Sequence, residues 1–360
     1  MKLLFFTRKI DKNDPKVGFV SDWVEKLANE VGFLYVLVWQ KSDAENLPKN
    51  VKLIELPKNK ILRLWILKFK LLKYIPKVDG VFTHMMPMYA VFVGFFTKLF
   101  RKKLIHWYMH KSVDWRLKLS NWFVNGYISA SEESFRLKTK KPVHIFGHGI
   151  NIERFKTKSL SAEAQELLEA KVDKQFNILN VGRISPAKNI DILIKIAEQI
   201  QLNDPEFRDK YLFQIIGGPG LISQQKYYLD LIEEIKESRV LGINNVVDFI
   251  GPLPQEEIFK YYANCDLFIN LSDTGSLDKV VLEAMASNRL VLTSNEAFKR
   301  IIPAELFCES KDIEYLIDKI KEIYFMPENK KKELQQQLRY EVITNHNLDN
   351  LIKKIVKLFK

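Results

Sequence analysis

Residues 271–295 read LSDTGSLDKVVLEAMASNRLVLTSN, and the order of patterns within them decides the fold. A short apolar strand, Asp266 to Leu271, stops at a Ser/Asp/Thr/Gly/Ser cluster. A helix pattern carrying Val280, Val281, Glu283, Ala284 and Met285 follows, then a second buried strand at Leu290–Thr293. Strand, turn, helix and strand in this order is the unit of a parallel α/β sheet. The turn before the helix leaves backbone N–H groups unpaired and aimed at one point, which favours an anion such as a phosphate. Glu283 lies within the first two turns of that helix, placed to accept hydrogen bonds from hydroxyls near the same pocket. Phosphate donors beside a hydroxyl acceptor describe a nucleotide-sugar site.

The alternation extends in both directions. Strands are expected at Leu3–Thr7, Phe33–Trp39, Val51–Leu56, Gly80–His84, Lys103–Tyr108, Gly126–Ser129 and Val143–Phe146. A second set is expected at Asn177–Val181, Leu212–Ile216, Val246–Ile250, Asp266–Asn270, Leu290–Thr293 and Leu306–Cys308. The 360 residues exceed one ordinary core and suit two domains, 1–150 and 151–344. The polar run 151–174 reads as the connection, and a last helix near Leu348–Phe359, within 345–360, has the pattern of a basic amphipathic surface helix.

Hydrophobic content of 47% with 28% charged residues is that of a globular protein. Two cysteines, Cys265 and Cys308, exclude a disulfide framework and a Cys-rich metal site and suit a reducing cytoplasm. The N-terminal KLLFFT run has the pattern of a strand, without the features of a signal peptide, and Lys or Arg interrupts every apolar stretch before ~18 residues. The net charge of +12 calls for an anionic partner: a membrane surface, a nucleic acid or a phosphorylated substrate.

Leu271–Asn295 resembles the donor-site signature of glycosyltransferase family 4, retaining enzymes of the GT-B fold with two Rossmann-like domains facing across a cleft; the resemblance implies that the last helix, within 345–360, crosses back onto the first domain. In that signature two glutamates bracket a glycine-rich turn, and the second precedes Ala-Met-Ala. Glu283-Ala284-Met285-Ala286 matches the second half, whereas Gly275 stands where the first glutamate would be, and Asp278-Lys279 replace a glycine and an apolar residue. The resemblance implies that Gly275, Ser276, Lys279, Val280 and Glu283 line the donor site. Asp278 is the nearest carboxylate able to stand in for the missing glutamate, or else it caps the helix that starts near Lys279.

The segment VGRISPAKNID, Val181 to Asp191, resembles the same family's Gly-Arg-x-x-x-x-Lys motif, whose basic pair binds the donor diphosphate. Ser185 as cap and Pro186 at the first helical position would start a helix flanked by Arg183 and Lys188. Arg offers a fork for two oxygens and Lys a point charge. No Asp-x-Asp pair occurs, so these cations are expected to neutralise the leaving group without a metal or other cofactor. The resemblance further places Gly218, in IGGPG, and Gly251, in DFIGPLP, near the nucleotide, though either may be read as a simple turn. Gly18, in Lys16-Val17-Gly18-Phe19, matches a glycine that approaches the donor phosphate and sugar, and His110 matches a histidine that contacts the donor sugar. His106 and His148 are assigned to structure, and Gly149 is expected to supply an unusual backbone angle.

Between Lys58 and Lys77 seven Lys/Arg alternate with Leu, Ile, Trp65, Phe69 and Tyr74, with no acidic residue. At ~100° per residue Lys60, Arg63, Lys70, Lys73 and Lys77 share one side, giving a basic amphipathic helix that suits an anionic membrane or a solvated surface equally. The apolar run Pro87–Phe100 is expected to form a buried helix. The sequence therefore reads as a transferase moving a sugar from a nucleoside-diphosphate donor to a lipid-linked or cell-envelope glycan at the cytoplasmic membrane face. A GT-B enzyme acting on nucleic acid or a soluble glycan is the rival within the class. A non-catalytic sugar-nucleotide-binding or scaffold protein, suggested by Gly275, is the rival outside it.

Overall fold

Apolar runs such as Leu3–Phe6 can bury both faces only inside a parallel sheet covered by helices on both sides. The computed structural model places them there; it describes residues 1–12, 14, 17–41, 47–155, 175–207, 210–237 and 246–360. These divide into two units, Met1–Asn151 with Asn345–Lys360, and Ile152–Thr344. Lys16, and residues 156–174 of the expected connection, lie outside the described residues.

The first unit is a parallel sheet of β1 (Lys2–Ile10), β2 (Phe33–Lys41), β3 (Val51–Glu55), β4 (Gly80–His84), β5 (Lys103–Trp107), β6 (Gly126–Ser129) and β7 (Val143–Ile145). Their order is β3-β2-β1-β4-β5-β6-β7. The crossovers are α1 (Phe19–Glu30), α2 (Lys60–Tyr74), α3 (Pro87–Leu99) and α4 (Trp115–Ser120). Right-handed connections send α1 to one face and α2, α3 and α4, which step the other way along the sheet, to the opposite face. Leu67 and Leu71 of α2, Tyr89 and Val93 of α3 and Leu117 of α4 accordingly share one core with Leu4, Phe6 and Leu104 of the strands. The run Pro87–Phe100 is half buried, not fully as its composition suggests: Phe95 and Leu99 are exposed because only one side of α3 meets the sheet.

The second unit has β8 (Phe176–Val181), β9 (Tyr211–Ile216), β10 (Val247–Gly251), β11 (Leu267–Asn270) and β12 (Leu290–Thr293), all parallel, in the order β10-β9-β8-β11-β12. Its helices are α5 (Ile190–Asn203), α6 (Gln225–Glu237), α7 (Gln255–Asn264), α8 (Lys279–Ala286), α9 (Ile313–Phe325) and α10 (Glu328–Asn345). The strand expected at Leu306–Cys308 is absent. A 3-10 turn, Ala304–Leu306, occupies its start, and one bridge, Thr293 to Phe307, is all that forms. The chain winds β8, β9, β10 outward and then returns to the other side of β8 for β11. The carboxyl ends of β8 and β11 are thus a topological switch point, where open α/β sheets bind ligands.

The last helix, α11 (Leu348–Lys357), belongs to the first unit. Leu348, Leu351, Ile352, Ile355 and Val356 are buried, and Lys26 Nζ of α1 meets Asp349 Oδ1 at 2.8 Å. Gly149 has no left-handed angle, contrary to expectation; that belongs to Gly147, with φ 77°. Gly149 instead lets α11 pack closely: a Cβ there would come within 2.8 Å of Leu348 Cδ1 and 2.9 Å of Leu351 Cδ2, so those side chains would have to shift. Among the described residues no helix is long and apolar enough to cross a membrane.

Four histidines, His84, His106, His148 and His346, are buried in the first unit, and two of them are depressed in pKa. His106 Nδ1 is 2.8 Å from Thr83 Oγ1, and His84 Nδ1 is 3.3 Å from Thr7 Oγ1. Burial holds both imidazoles down to about 3 from 6.5. A folded pKa below the unfolded one means that the unfolded chain takes up protons first. The stability of the neutral pair is complete above 6.5 and is lost as the pH falls from there toward 3. Each histidine adds at most ~1.4 kcal/mol per pH unit to that slope. Denaturant unfolding across this range should show stability falling with acid, and His106→Gln should make the fall shallower.

Candidate functional site

At the switch point the loop after β8 meets the loop after β11. Lys188 is almost buried, which an ammonium tolerates only with a partner. Its Nζ lies 2.7 Å from Asp278 Oδ1 and donates to Ser272 Oγ at 3.2 Å. The second carboxylate oxygen, Asp278 Oδ2, accepts from Asn295 Nδ2 at 3.1 Å, and the same amide donates to Ser276 O at 2.9 Å. A further stitch joins the loops: Asn189 Nδ2 donates to Leu271 O at 2.7 Å and to Asp273 Oδ2 at 2.9 Å, and Asp273 N donates to Ala187 O at 2.9 Å.

Asp278 occupies the cap position of α8, yet its side chain makes no capping bond, because Lys188 and Asn295 hold the carboxylate away from the helix. The N-terminus of α8 therefore has no side-chain cap, a state that favours an incoming anion. Ser185 also does not cap. The helix expected from Pro186 is a 3-10 turn, Pro186–Lys188, ended by a left-handed Asn189 at φ 52°, and α5 begins only at Ile190. The tight turn is what brings Lys188 inward, while Arg183 stays exposed. Among the described residues no carboxylate pairs with Arg183, and its Cδ would lie 2.7 Å from a Cβ on Gly220.

One turn into α8, Glu283 is buried and clamped. Oε1 lies 3.3 Å from Lys279 Nζ and accepts from Gln255 Nε2 at 3.2 Å; Oε2 accepts from Tyr262 OH at 3.0 Å. Tyr262 is fully buried, and burial together with the Glu283 charge raises its hydroxyl pKa well above the ordinary range, so it remains a donor. Three donors on a carboxylate with about four acceptor positions leave room for one more, or for a hydroxyl in place of the partly exposed Lys279. Val280 is half exposed beside Lys279.

The glycines divide by cause. Gly275 has φ 60°, a conformation that glycine adopts at less cost than a residue with a side chain. Gly217 is the glycine that IGGPG requires: its Cβ would sit 1.7 Å from Gly182 O. At Gly218 a Cβ would only touch Pro252 at 3.6 Å. Gly251 ends β10, and its carbonyl accepts from Gly217 N at 2.9 Å, joining the second and third strand-end loops.

In the first unit, Gly18 precedes α1, and a Cβ there would strike Lys12 O at 2.7 Å and Asp14 O at 2.9 Å. The close approach that this glycine serves is to its own loop. His110 is exposed, and its Nδ1 accepts from Ser112 N at 3.0 Å, which fixes the neutral ring with its proton on Nε2. Sequence reasoning missed Ser272, Asn295, Gln255 and Tyr262. Asn295 had one visible signal, a cap residue directly after a strand; the others meet their partners only through the fold.

A family model described as glycosyl transferases group 1 matches residues 162–341. D-inositol 3-phosphate glycosyltransferase of Streptosporangium roseum is 30% identical over 146 residues, 40% of this chain and 32% of that protein. A second such enzyme, from Catenulispora acidiphila, is 30% identical over 149 residues, 41% of this chain and 33% of its own length. The chain thus spans about a third of the length of the curated relatives it matches. Among solved structures, a glycosyltransferase from Rickettsia africae superposes with TM-score 0.79 at 18% identity, covering 100% of this chain and 97% of that one. Anabaena HepE, solved in complex with UDP, gives 0.75 at 16% identity and 99% coverage of both. Likeness over the whole chain at such low identity shows the fold, GT-B with two parallel-sheet α/β domains.

The clamp on Glu283 can be tested without any ligand. Tyr262→Phe removes one donor from a buried carboxylate and should lower stability by about 1.5–3 kcal/mol in denaturant unfolding, the scale of a hydrogen bond to a charged group.

Proposed function

The chain belongs to the glycosyl transferases group 1, and on that premise we propose that it is a retaining enzyme of the family 4 type. It moves a sugar from a nucleoside-diphosphate donor to a lipid-linked or cell-envelope glycan at the cytoplasmic face of the membrane. The observation that carries the donor reading is the meeting of Lys188, Asp278 and the uncapped start of α8 at the switch point, with Arg183, which no carboxylate pairs among the described residues, exposed in the same loop as Lys188. That HepE was solved with UDP and with UDP-glucose supports a uridine nucleotide as the first donor to try.

In this reading Arg183, Lys188 and the α8 N-terminus hold the departing diphosphate, with Lys279 as a third cation. Glu283 accepts from the ribose hydroxyls as Lys279 turns from it toward phosphate. Ser276 and Gly275 form the turn beside the sugar, Gly218 and Gly251 bound the nucleotide, and Gly18 keeps the donor role that the resemblance gives it. His110 donates its Nε2 proton in a hydrogen bond to the donor sugar and stabilises the charge that develops on the ring. The bond from the anomeric carbon to the diphosphate breaks. The acceptor hydroxyl bonds to that carbon on the same face, and its proton passes to a donor phosphate oxygen. Cationic side chains and a helix N-terminus supply the charge that a divalent metal supplies in other transferases. We therefore assign no metal and no cofactor beyond the co-substrate.

Gly275 favours a second reading, a nucleotide-sugar-binding protein without transfer, because the left-handed turn has no carboxylate to read the sugar. Hydrolysis of a donor panel in the absence of acceptor separates the two: turnover is expected of the enzyme alone.

Arg183→Ala and Lys188→Ala should each weaken UDP binding by about 1.5–3 kcal/mol in calorimetry. Asp278→Asn should have the opposite sign on UDP, since it frees the Lys188 ammonium, while lowering transfer or altering sugar preference. Unchanged UDP affinity in a folded Arg183→Ala/Lys188→Ala protein would remove the assignment. Turnover should survive EDTA; activity that chelation abolishes and Mg²⁺ or Mn²⁺ restores would contradict the metal-free leaving-group site.

A further inference from the structure

The helical layer on one face of the first unit has an outer surface that its core does not use. On α2, Leu67, Leu71 and Tyr74 are the buried residues. At ~100° per residue, Ile61, Leu62, Trp65, Phe69 and Leu72 fall in one arc centred opposite that buried side. All five are exposed, Trp65 at 58% and Phe69 at 62%. Lys68 borders this arc on one side and Lys70 and Lys73 on the other. Arg63 is not part of the surface. Its guanidinium turns back to donate to Pro57 O at 2.7 Å and Lys58 O at 2.6 Å, and it lies over Trp39.

The neighbouring helix repeats the arrangement. On α3, Phe95 (62% exposed) and Leu99 lie one turn apart, opposite Tyr89, Ala90 and Val93. Because α2 and α3 cover the same face of the sheet, both apolar arcs point away from it in the same direction. The end of α3 adds a basic pocket of about 440 Å³, lined by Lys98, Arg101, Lys102, Lys103 and Lys141, with Trp122 (74% exposed) among its walls. No carboxylate lines it. A left-handed Arg101, at φ 52°, and a bond from Lys102 N to Thr97 O at 2.7 Å end the helix in a Schellman turn that fixes the backbone of these cations. Among the described residues no carboxylate pairs with Arg101, Lys102 or Lys141.

We infer that this face docks on an anionic lipid bilayer: Trp65, Phe69, Phe95 and Leu99 enter the boundary between headgroups and acyl chains, and the basic pocket receives a lipid phosphate. Exposed aromatic and aliphatic side chains flanked by lysines are the composition of an interfacial helix, and the acid-free pocket supplies the charge complement. The inference deepens the membrane-face part of the proposed function. It rests on that reading only for the location of the acceptor.

The test is flotation of the full chain with vesicles of phosphatidylcholine alone and of phosphatidylcholine with phosphatidylglycerol, alongside UDP calorimetry. The chain should float with the anionic vesicles only, and brominated acyl chains should quench its tryptophan fluorescence, with much of that quenching lost in Trp65→Phe. Trp65→Ser/Phe69→Ser/Phe95→Ser should weaken anionic-vesicle binding by about tenfold or more. Arg101→Ala/Lys102→Ala/Lys141→Ala should abolish the preference for phosphatidylglycerol. Both variants should bind UDP as the parent does. The bromolipid experiment on the parent and Trp65→Phe proteins decides the matter even if the multiple variants fail to fold. Absence of flotation, equal binding to both lipids, quenching unchanged in Trp65→Phe, or retention by duplex DNA in place of vesicles would overturn the inference. A chain that binds vesicles but no nucleotide would fail the donor reading alone; one that binds nucleotide but no vesicle would fail this inference alone.

Discussion

A lysine ammonium with almost no water around it must be met by a carboxylate, and the second unit is arranged about that requirement at Lys188. Removing one member of a buried pair leaves an uncompensated charge at a cost of about 3–5 kcal/mol. Asp278 answers Lys188 from the loop after β11, so the pair ties together the loops after two neighbouring strands that lie far apart along the chain. Everything nearby follows from this. Asp278 cannot also cap α8, the helix N-terminus stays open, and Asn295 and Ser272 are buried because they complete the hydrogen bonding of the pair. The same contact that holds the loops in place leaves the start of α8 without a side-chain cap.

Much of this was legible in the chain, and the limits have physical causes. Strands of the sheets are buried on both faces, so their apolar runs are almost continuous; Gly80–His84, Gly126–Ser129 and Leu290–Thr293 could be read to the residue. Ends governed by pairing were less visible: β1 runs on through Arg8 and Lys9 to Ile10 because Lys9 and Ile10 pair with Gln40 and Lys41 of β2. Leu306–Cys308 has strand composition but finds only one rung of a ladder. The motifs carrying Arg183, Lys188, Asp278, Lys279 and Glu283 stood out as local patterns. Their partners did not, because Gln255 and Tyr262 reach Glu283 from another helix. The role of Ser185 and Pro186 was misread, since one left-handed residue, Asn189, converts the expected helix start into a 3-10 turn.

The departure at Gly275 removes a side chain at a left-handed position, φ 60°, and Asp278-Lys279 then enter α8 with two charged residues in place of a glycine and an apolar residue. Lys279 meets Glu283 one turn on, and Asp278 meets Lys188. One ion pair therefore engages Glu283, the carboxylate that the resemblance to family 4 gives to the donor, and the other engages Asp278, which stands where that family has a glycine. In the proposed function a donor has to compete with them, so the altered turn bears on how selectively a sugar is read as well as on which sugar it is.

A nucleoside-diphosphate site formed by these groups at the switch point of the second unit is tested most directly by a crystal structure of the chain with UDP. Diphosphate oxygens are expected within hydrogen-bonding distance of Arg183, Lys188 and the backbone N–H groups that begin α8, with the ribose hydroxyls at Glu283. UDP bound elsewhere on the chain, or held at the switch point with Lys188 still paired to Asp278 and no phosphate contact to Arg183, would contradict it.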